Sequence, residues 1–391
     1  MRDALRFSLF EDKGSCWLEI PGEHPVKTCS AEQARGARDD FSHALREARD
    51  QLGAIGGACD DMEPAHRFLS LINSEGIATL QTLLGDEIET LKSYLAPAIK
   101  RVESGGYGNR DLPIIQVEMP RNFIQIEALP FIEIGQMPRF TSLEEMLQGA
   151  MRFFGFAFVT QRIERAEADM DGTLRAVPKV PVKMFRHAEL AGSAAEADML
   201  AKDFALVGDG AWPTTGACTA EDTLSAMVHF DQDFAGRKKA AIDQIHHFSC
   251  HSDIGERHPY LEMMAAGGTP FQISTRSFNE QFRIAMRGQS VGLPRPLAFL
   301  NACESNSPSS ESLGTWASTL VQARYRAVIA TEAPAPDAFA SAFSQAFYGE
   351  LLAGHTVGQA LQRAKRGLLE RWKNPFGLLY TLFGNPDLRI G

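Results

Sequence analysis

Hydrophobic positions fall into two regimes along the chain. Up to about residue 110 they recur mostly at helical spacing; beyond it they come as short apolar runs between amphipathic stretches. The first run is an exception, because ALRFSLFEDKGSCWLEI has β-type residues on both sides of Asp12, Lys13 and Gly14 and predicts a hairpin. SAEQARGARDDFSHALREARDQL predicts a helix that opens at Ser30, with Glu32 close behind and Phe41, Ala44, Leu45 and Leu52 on one face. EPAHRFLSLINSEGIATLQTLLGDEIETLKSYLAPAIKRV reads as more helix, broken near Ser74 to Gly76 and again at Gly85. The polar, glycine-rich ESGGYGNRDLP then marks a boundary, so one module is expected over 1–110 and another over 111–391.

In the second regime strands and helices alternate. LPIIQVEM, NFIQIEALPF, VPVKMFRH, IHHFSC, PLAFLNA and AVIAT read as strands. EADMLAKDFAL, GTWASTLVQA, DAFASAFSQAFYGELLAG and TVGQALQRAKRGLLERW read as helices, and a loop is expected between IHHFSC and PLAFLNAC. This order implies an α/β fold, with a mostly parallel sheet flanked by helices on both faces. Gly384, Asn385, Pro386 and Asp387 read as a turn that closes the fold.

Composition narrows the class. The 391 residues are 44% hydrophobic and 23% charged, values of a globular protein with a sizeable core. A net charge of −10 and the lack of a long Lys/Arg run argue against nucleic acid as the main partner. No run is long enough for a transmembrane helix, and MRDALRFSLFEDKG has no apolar core of a signal peptide; no membrane partner and a cytoplasmic location are expected. The six cysteines (Cys16, Cys29, Cys59, Cys218, Cys250, Cys303) contain no C-x-x-C pair and are expected to stay reduced.

Sites in parallel sheets form at the carboxyl ends of strands. There, IHHFSC runs into His251 and PLAFLNA runs into Cys303. A thiol near its reference pKa is mostly protonated at neutral pH and needs a neighbouring base, which His251 can supply before it protonates the leaving amine. The two residues are 52 apart, close to the histidine-to-cysteine spacing of about 50 in caspases, and Ala302-Cys303 repeats the Ala-Cys pair of that signature. His246 and His247 point to opposite faces of their strand and read as one core and one surface histidine. The same alternation keeps His246, His247, Cys250 and His251 from converging on one metal ion, and it turns Cys250 into the packing. Glu304 reads as a solvated loop carboxylate, and Trp212, Trp316 and Trp372 read as packing residues.

HHFSCHSD, LAFLNACES, AVIATEAPAPDAFASAFSQAFYGELLAG, VGQALQRAKRGLL and the terminal LLYTLFGNPDL, in that order, resemble the CHAT family of caspase-like cysteine peptidases, relatives of caspases and separase, over about residues 110 to 391. The resemblance implies a caspase-like three-layer fold and a catalytic dyad of His251 and Cys303, with no metal or organic cofactor. It implies an oxyanion hole from the backbone N–H groups of Ser252 and Cys303. Many relatives have glycine where this chain has Ser252. It also implies a peptide groove walled by Thr331 and Glu332, in which Glu332 or Asp253 would supply negative charge and favour a basic P1 residue. The implied activity is endopeptidase cleavage of a specific protein partner by way of a thioester. Within the family such partners include a neighbouring effector such as a gasdermin in bacterial, antiviral defence or cell-death pathways, with an activating sensor protein upstream and residues 1–110 as a regulatory module. The alternative is a caspase-like scaffold that holds a peptide or protein in its groove, a reading that Ser252 favours.

Overall fold

The computed structural model describes residues 4–53, 56–106, 112–119, 124–163, 172–176, 179–206, 211–229, 243–254, 258–287, 296–302, 310–331, 333 and 335–391. By compactness the chain divides into two units, Met1–Ala168 with Gly358–Leu382, and Asp169–Val357 with Phe383–Gly391.

The first unit starts with β1 (Leu5–Asp12), β2 (Ser15–Glu19) and β3 (Val26–Ser30), followed by α1 (Ala31–Gly53), α2 (Glu63–Leu84) and α3 (Glu87–Gly105). It continues with β4 (Ile114–Glu118), α4 (Leu143–Ala150), α5 (Phe154–Ala157) and β5 (Val159–Ile163). The hairpin closes where the sequence placed it, with Asp12 paired to Ser15 and positive φ at Lys13 (51°) and Gly14 (75°). Its strand β1 also runs parallel to β4, which itself runs parallel to β5. The compact unit therefore crosses the composition change near 110 instead of ending there.

Ser30 caps α1 reciprocally with Gln33: the Gln33 N–H donates to Ser30 Oγ at 3.1 Å and the Ser30 N–H to Gln33 Oε1 at 3.0 Å. The break expected at Ser74 to Gly76 is absent, because α2 runs through it. Gly76 serves a close approach, since a Cβ there would lie 2.4 Å from Pro130 Cδ. Gly85 does end the helix, with φ 53°.

NFIQIEALPF is not a strand in its described part; Ile126–Ala128 form a 3₁₀ turn. The turn carries Glu127 inward, where it is 2% exposed, pairs with Arg162 Nη2 at 2.5 Å and accepts from the Thr381 hydroxyl. A buried carboxylate requires such partners, and they outweigh the local β pattern.

The second unit holds β6 (Thr173–Leu174), β7 (Pro181–Arg186), α6 (Ala191–Asp203), β8 (Ala205–Leu206), α7 (Ala220–Val228), β9 (Ile245–Ile254) and β10 (Pro259–Met263). Then come β11 (Phe271–Ser274), α8 (Thr275–Ala285), β12 (Leu297–Ala302), α9 (Ser310–Gln322), β13 (Ala327–Thr331) and α10 (Asp337–Leu352). Nearly all of α11 (Val357–Trp372) and most of β14 (Tyr380–Gly384) belong to the first unit, and β15 (Arg389–Ile390) ends the second.

In the second unit the pairs β8–β7, β7–β9, β9–β12 and β12–β13 are all parallel, and β10 and β11 add antiparallel strands beyond β9. The segment expected as a loop after IHHFSC thus holds two strands and a helix, and α8 opens on a capping box of Ser274 and Ser277. One sheet face, with Phe185, Phe248, Cys250, Ala298 and Leu300, packs on α7, α8 and α9, where Trp316 is fully buried. On the other face Phe299 meets Phe347 at 5.1 Å and Tyr348 at 5.6 Å on α10. The result is the expected α/β arrangement of helix, sheet and helix layers. The turn near the C-terminus also forms as expected: Gly384 has φ 88°, a Cβ there would lie 2.5 Å from Arg326 O, and the Asn385 N–H donates to that same oxygen at 2.7 Å.

Candidate active site

The register of two central strands positions the site. β9 and β12 pair from Leu297↔Ile245 to Ala302↔Cys250. The next residue of β9 is His251, and the residue that follows β12 in the chain is Cys303. β9 does not end at His251 as the sequence reading had it. It continues to Ile254, pairing His251↔Glu262, Ser252↔Leu261 and Asp253↔Tyr260 with β10. His251 therefore stands on an extended strand, half-buried, where the sheet changes partners.

Ser252 is buried, and the non-glycine residues with positive φ among those described are Lys13, Arg324 and Lys373. Ser252 thus carries no left-handed strain. Asp253 is half-buried, with the Tyr260 hydroxyl 3.5 Å from its Oδ2. Thr331 ends β13, is 1% exposed, and its Oγ1 has no hydrogen-bond partner among the described residues. Cys303, Glu304 and Glu332 lie outside the described residues.

The histidines before His251 are both fully buried, so the expectation of one surface histidine is corrected. Helices pack on both sheet faces, so neither histidine is left at the surface. His246 bonds the Tyr325 hydroxyl and Gln244 Oε1, each at 2.8 Å, and burial, with Lys183 nearby, holds its pKa well below the ordinary value. His247 reaches the Tyr348 hydroxyl at 3.1 Å through Nδ1 and faces Glu196 Oε2 at 3.4 Å through Nε2. Cys250 is buried, and burial, with Glu196 and Glu262 adding, pushes its thiol far above the ordinary value. It stays a neutral packing residue.

Sequence reasoning missed the group beneath this rim. Glu196 on α6 is 1% exposed and accepts from Asn301 Nδ2 at 2.5 Å and from Ser344 Oγ at 2.7 Å. Burial raises its pKa, but His247 and the hydrogen bond of Ser344 outweigh that and hold the carboxyl below its ordinary value. It ties α6, β9, β12 and α10 together two residues before Cys303. Asp337 likewise serves the fold, accepting from the Gly192 N–H at 2.7 Å in the first turn of α6. Among the described residues no group of three or more His, Cys, Asp or Glu side chains could hold a metal ion, and no helix is long and apolar enough to cross a membrane. A cleft of about 810 Å³ belongs to the first unit and is lined by Glu103, Glu133, Arg139 and Arg152 among others, with none of the candidate residues.

The second unit is thus a parallel sheet between helical layers, with His251 at the carboxyl rim of β9. The CHAT domain model matches residues 156–376, more than half of the chain, and the chain belongs to the CHAT family. Among solved structures, the Saccharomyces cerevisiae separase–securin complex contains a chain that is similar at 10% identity with a TM-score of 0.41, over 99% of this chain and 30% of that one. This chain thus spans 30% of the length of that relative. No curated protein matches it.

Proposed function

We propose that the chain is a cysteine endopeptidase with Cys303 as nucleophile and His251 as general base and acid. The observation that supports this reading is the β9/β12 register: Ala302 pairs with Cys250, His251 follows Cys250 on β9, and Cys303 follows Ala302 in the sequence. His251 takes the thiol proton as the sulfur attacks the scissile carbonyl carbon. The negative oxygen of the tetrahedral intermediate is met by the N–H groups of Ser252 and Cys303. His251 then gives the proton to the leaving amine, which departs and leaves a thioester. Water, deprotonated by His251, cleaves that thioester to the acid and free thiol. No metal or organic cofactor enters this sequence of steps.

The substrate in this reading is a specific protein partner, such as a neighbouring effector, and an activating sensor protein controls cleavage. Thr331 and Glu332 wall the groove, and Asp253 or Glu332 favours a basic P1 residue; a P1 scan in which Arg and Lys are no better than Leu or Asp rejects that preference. The scaffold alternative drew its support from Ser252, and the extended strand there removes the strain on which it relied. The test is iodoacetamide alkylation of the six cysteines across pH, read by peptide mass spectrometry in wild type and His251→Ala. Cys303 should react fastest below neutral pH and lose that lead in the variant. Equal slowness of Cys303 and Cys250 in both proteins would overturn the reading.

A further inference from the structure

His187 lies at the same rim and the dyad makes no use of it. Beyond β7 its N–H donates to Ser249 O at 2.8 Å and the Ala188 N–H donates to Met264 O at 2.9 Å, which seats His187 where β9 and β10 meet. Its ring meets that of His251 edge to face, with centroids 4.6 Å apart and planes at 67°. Its Nε2 is 3.9 Å from Glu262 Oε1, and Glu262 is the β10 residue opposite His251. His187 is 4% exposed, and its Nδ1 has no hydrogen-bond partner among the described residues.

A buried polar ring with an unpaired nitrogen costs the fold free energy that an apolar side chain of similar size would not. What the ring does is therefore sought in its neighbour. Burial above all, and then the His251 charge, keep the His187 pKa below its ordinary value, against the pull of Glu262 and Glu189. A neutral ring lets His251 take up a proton without a like charge beside it. Among the described residues, the acidic groups that act on His187 are Glu262 on β10 and Glu189 after β7.

We propose that His187 is a positioning residue for His251, holding its ring by the edge-to-face contact so that it meets the Cys303 thiol. The proposal rests on the dyad reading above. Its test is Cys303 alkylation across pH in the full chain for wild type, His251→Ala, His187→Ala and His187→Phe, with a thermal melt of each. His251→Ala should cost about 10²-fold in reactivity below neutral pH, and His187→Ala about tenfold with a shifted pH midpoint. His187→Phe keeps a ring in place and should recover most of that loss. A purely structural role would lower the melting temperature of His187→Ala and leave the pH midpoint alone, which overturns the proposal. Equal loss in both His187 variants also overturns it. If His251→Ala is slow while both His187 variants match wild type, the positioning role falls and the dyad stands; if His251→Ala changes nothing, the dyad falls and takes the positioning role with it.

Discussion

Replacing Glu196 by Ala removes the carboxylate that Asn301, Ser344 and His247 share beneath the sheet. Taking one partner from a buried, charged cluster costs about 3–5 kcal/mol. The two hydrogen-bond donors do not add their full desolvation cost, because Asn301 Nδ2 keeps Ala340 O and Ser344 Oγ keeps Ser341 O, each at 2.9 Å. Glu196→Gln retains the shape and one acceptor oxygen but loses the charge, so about 1–3 kcal/mol is expected. The pH dependence follows from the direction of the Glu196 shift. Its pKa in the folded chain lies below the ordinary 4.5, so its stabilisation is fully present above that value and is lost as pH falls through the folded one. Urea unfolding followed by tryptophan fluorescence suits the test, since Trp212 and Trp316 belong to the same compact unit as Glu196. A loss below about 1 kcal/mol for Glu196→Ala, or an acid limb of unchanged slope in Glu196→Gln, would refute the reasoning.

Two glycines of the first unit should respond with opposite sign. Gly76→Ala drives a methyl group into Pro130 and should cost about 1–3 kcal/mol by urea midpoint. Gly36→Ala on the open face of α1 should gain about 0.5–1 kcal/mol, and a loss there would contradict the helix argument. Burial pushes the Lys365 ammonium from 10.5 down to about 8, opposed by Glu127 and aided by Arg162. Between those values the unfolded chain keeps a proton that the folded chain has shed, so this contribution to stability grows as pH rises from about 8 toward 10.5. Lys365→Met should flatten that alkaline rise and leave stability at neutral pH equal or higher; a loss above about 2 kcal/mol in thermal melts would count against it.

Several features were legible because they are local. The hairpin at Asp12 to Gly14 follows from its turn residues, and the cap at Ser30 from a hydroxyl that accepts from the N–H three residues on. The strands that carry His246 to Cys250 and Leu297 to Ala302 follow from short apolar runs. The capping box at Ser274 was also present in the sequence, with Phe278 and Phe282 behind it, and reading it would have turned the expected loop into α8.

Other features depend on distant partners. Period-2 alternation places His246 and His247 on opposite faces but is silent on what covers each face. NFIQIEALPF has strand composition, yet Glu127 within it is held by Arg162 and Thr381, which lie 35 and 254 residues further along. Glu196 looks like any helix carboxylate until Asn301, 105 residues away, reaches it. The same holds for His187, whose meeting with His251 requires β7, β9 and β10 to converge at one rim. By itself the sequence determined strand periods, caps, turns and the family, since each rests on spacing within a few residues or on an ordered set of motifs. Which buried charges meet, and which helix covers which sheet face, only the tertiary structure decided. Those contacts form after parallel crossovers bring separated segments within hydrogen-bond reach, where a buried polar group has to find a partner.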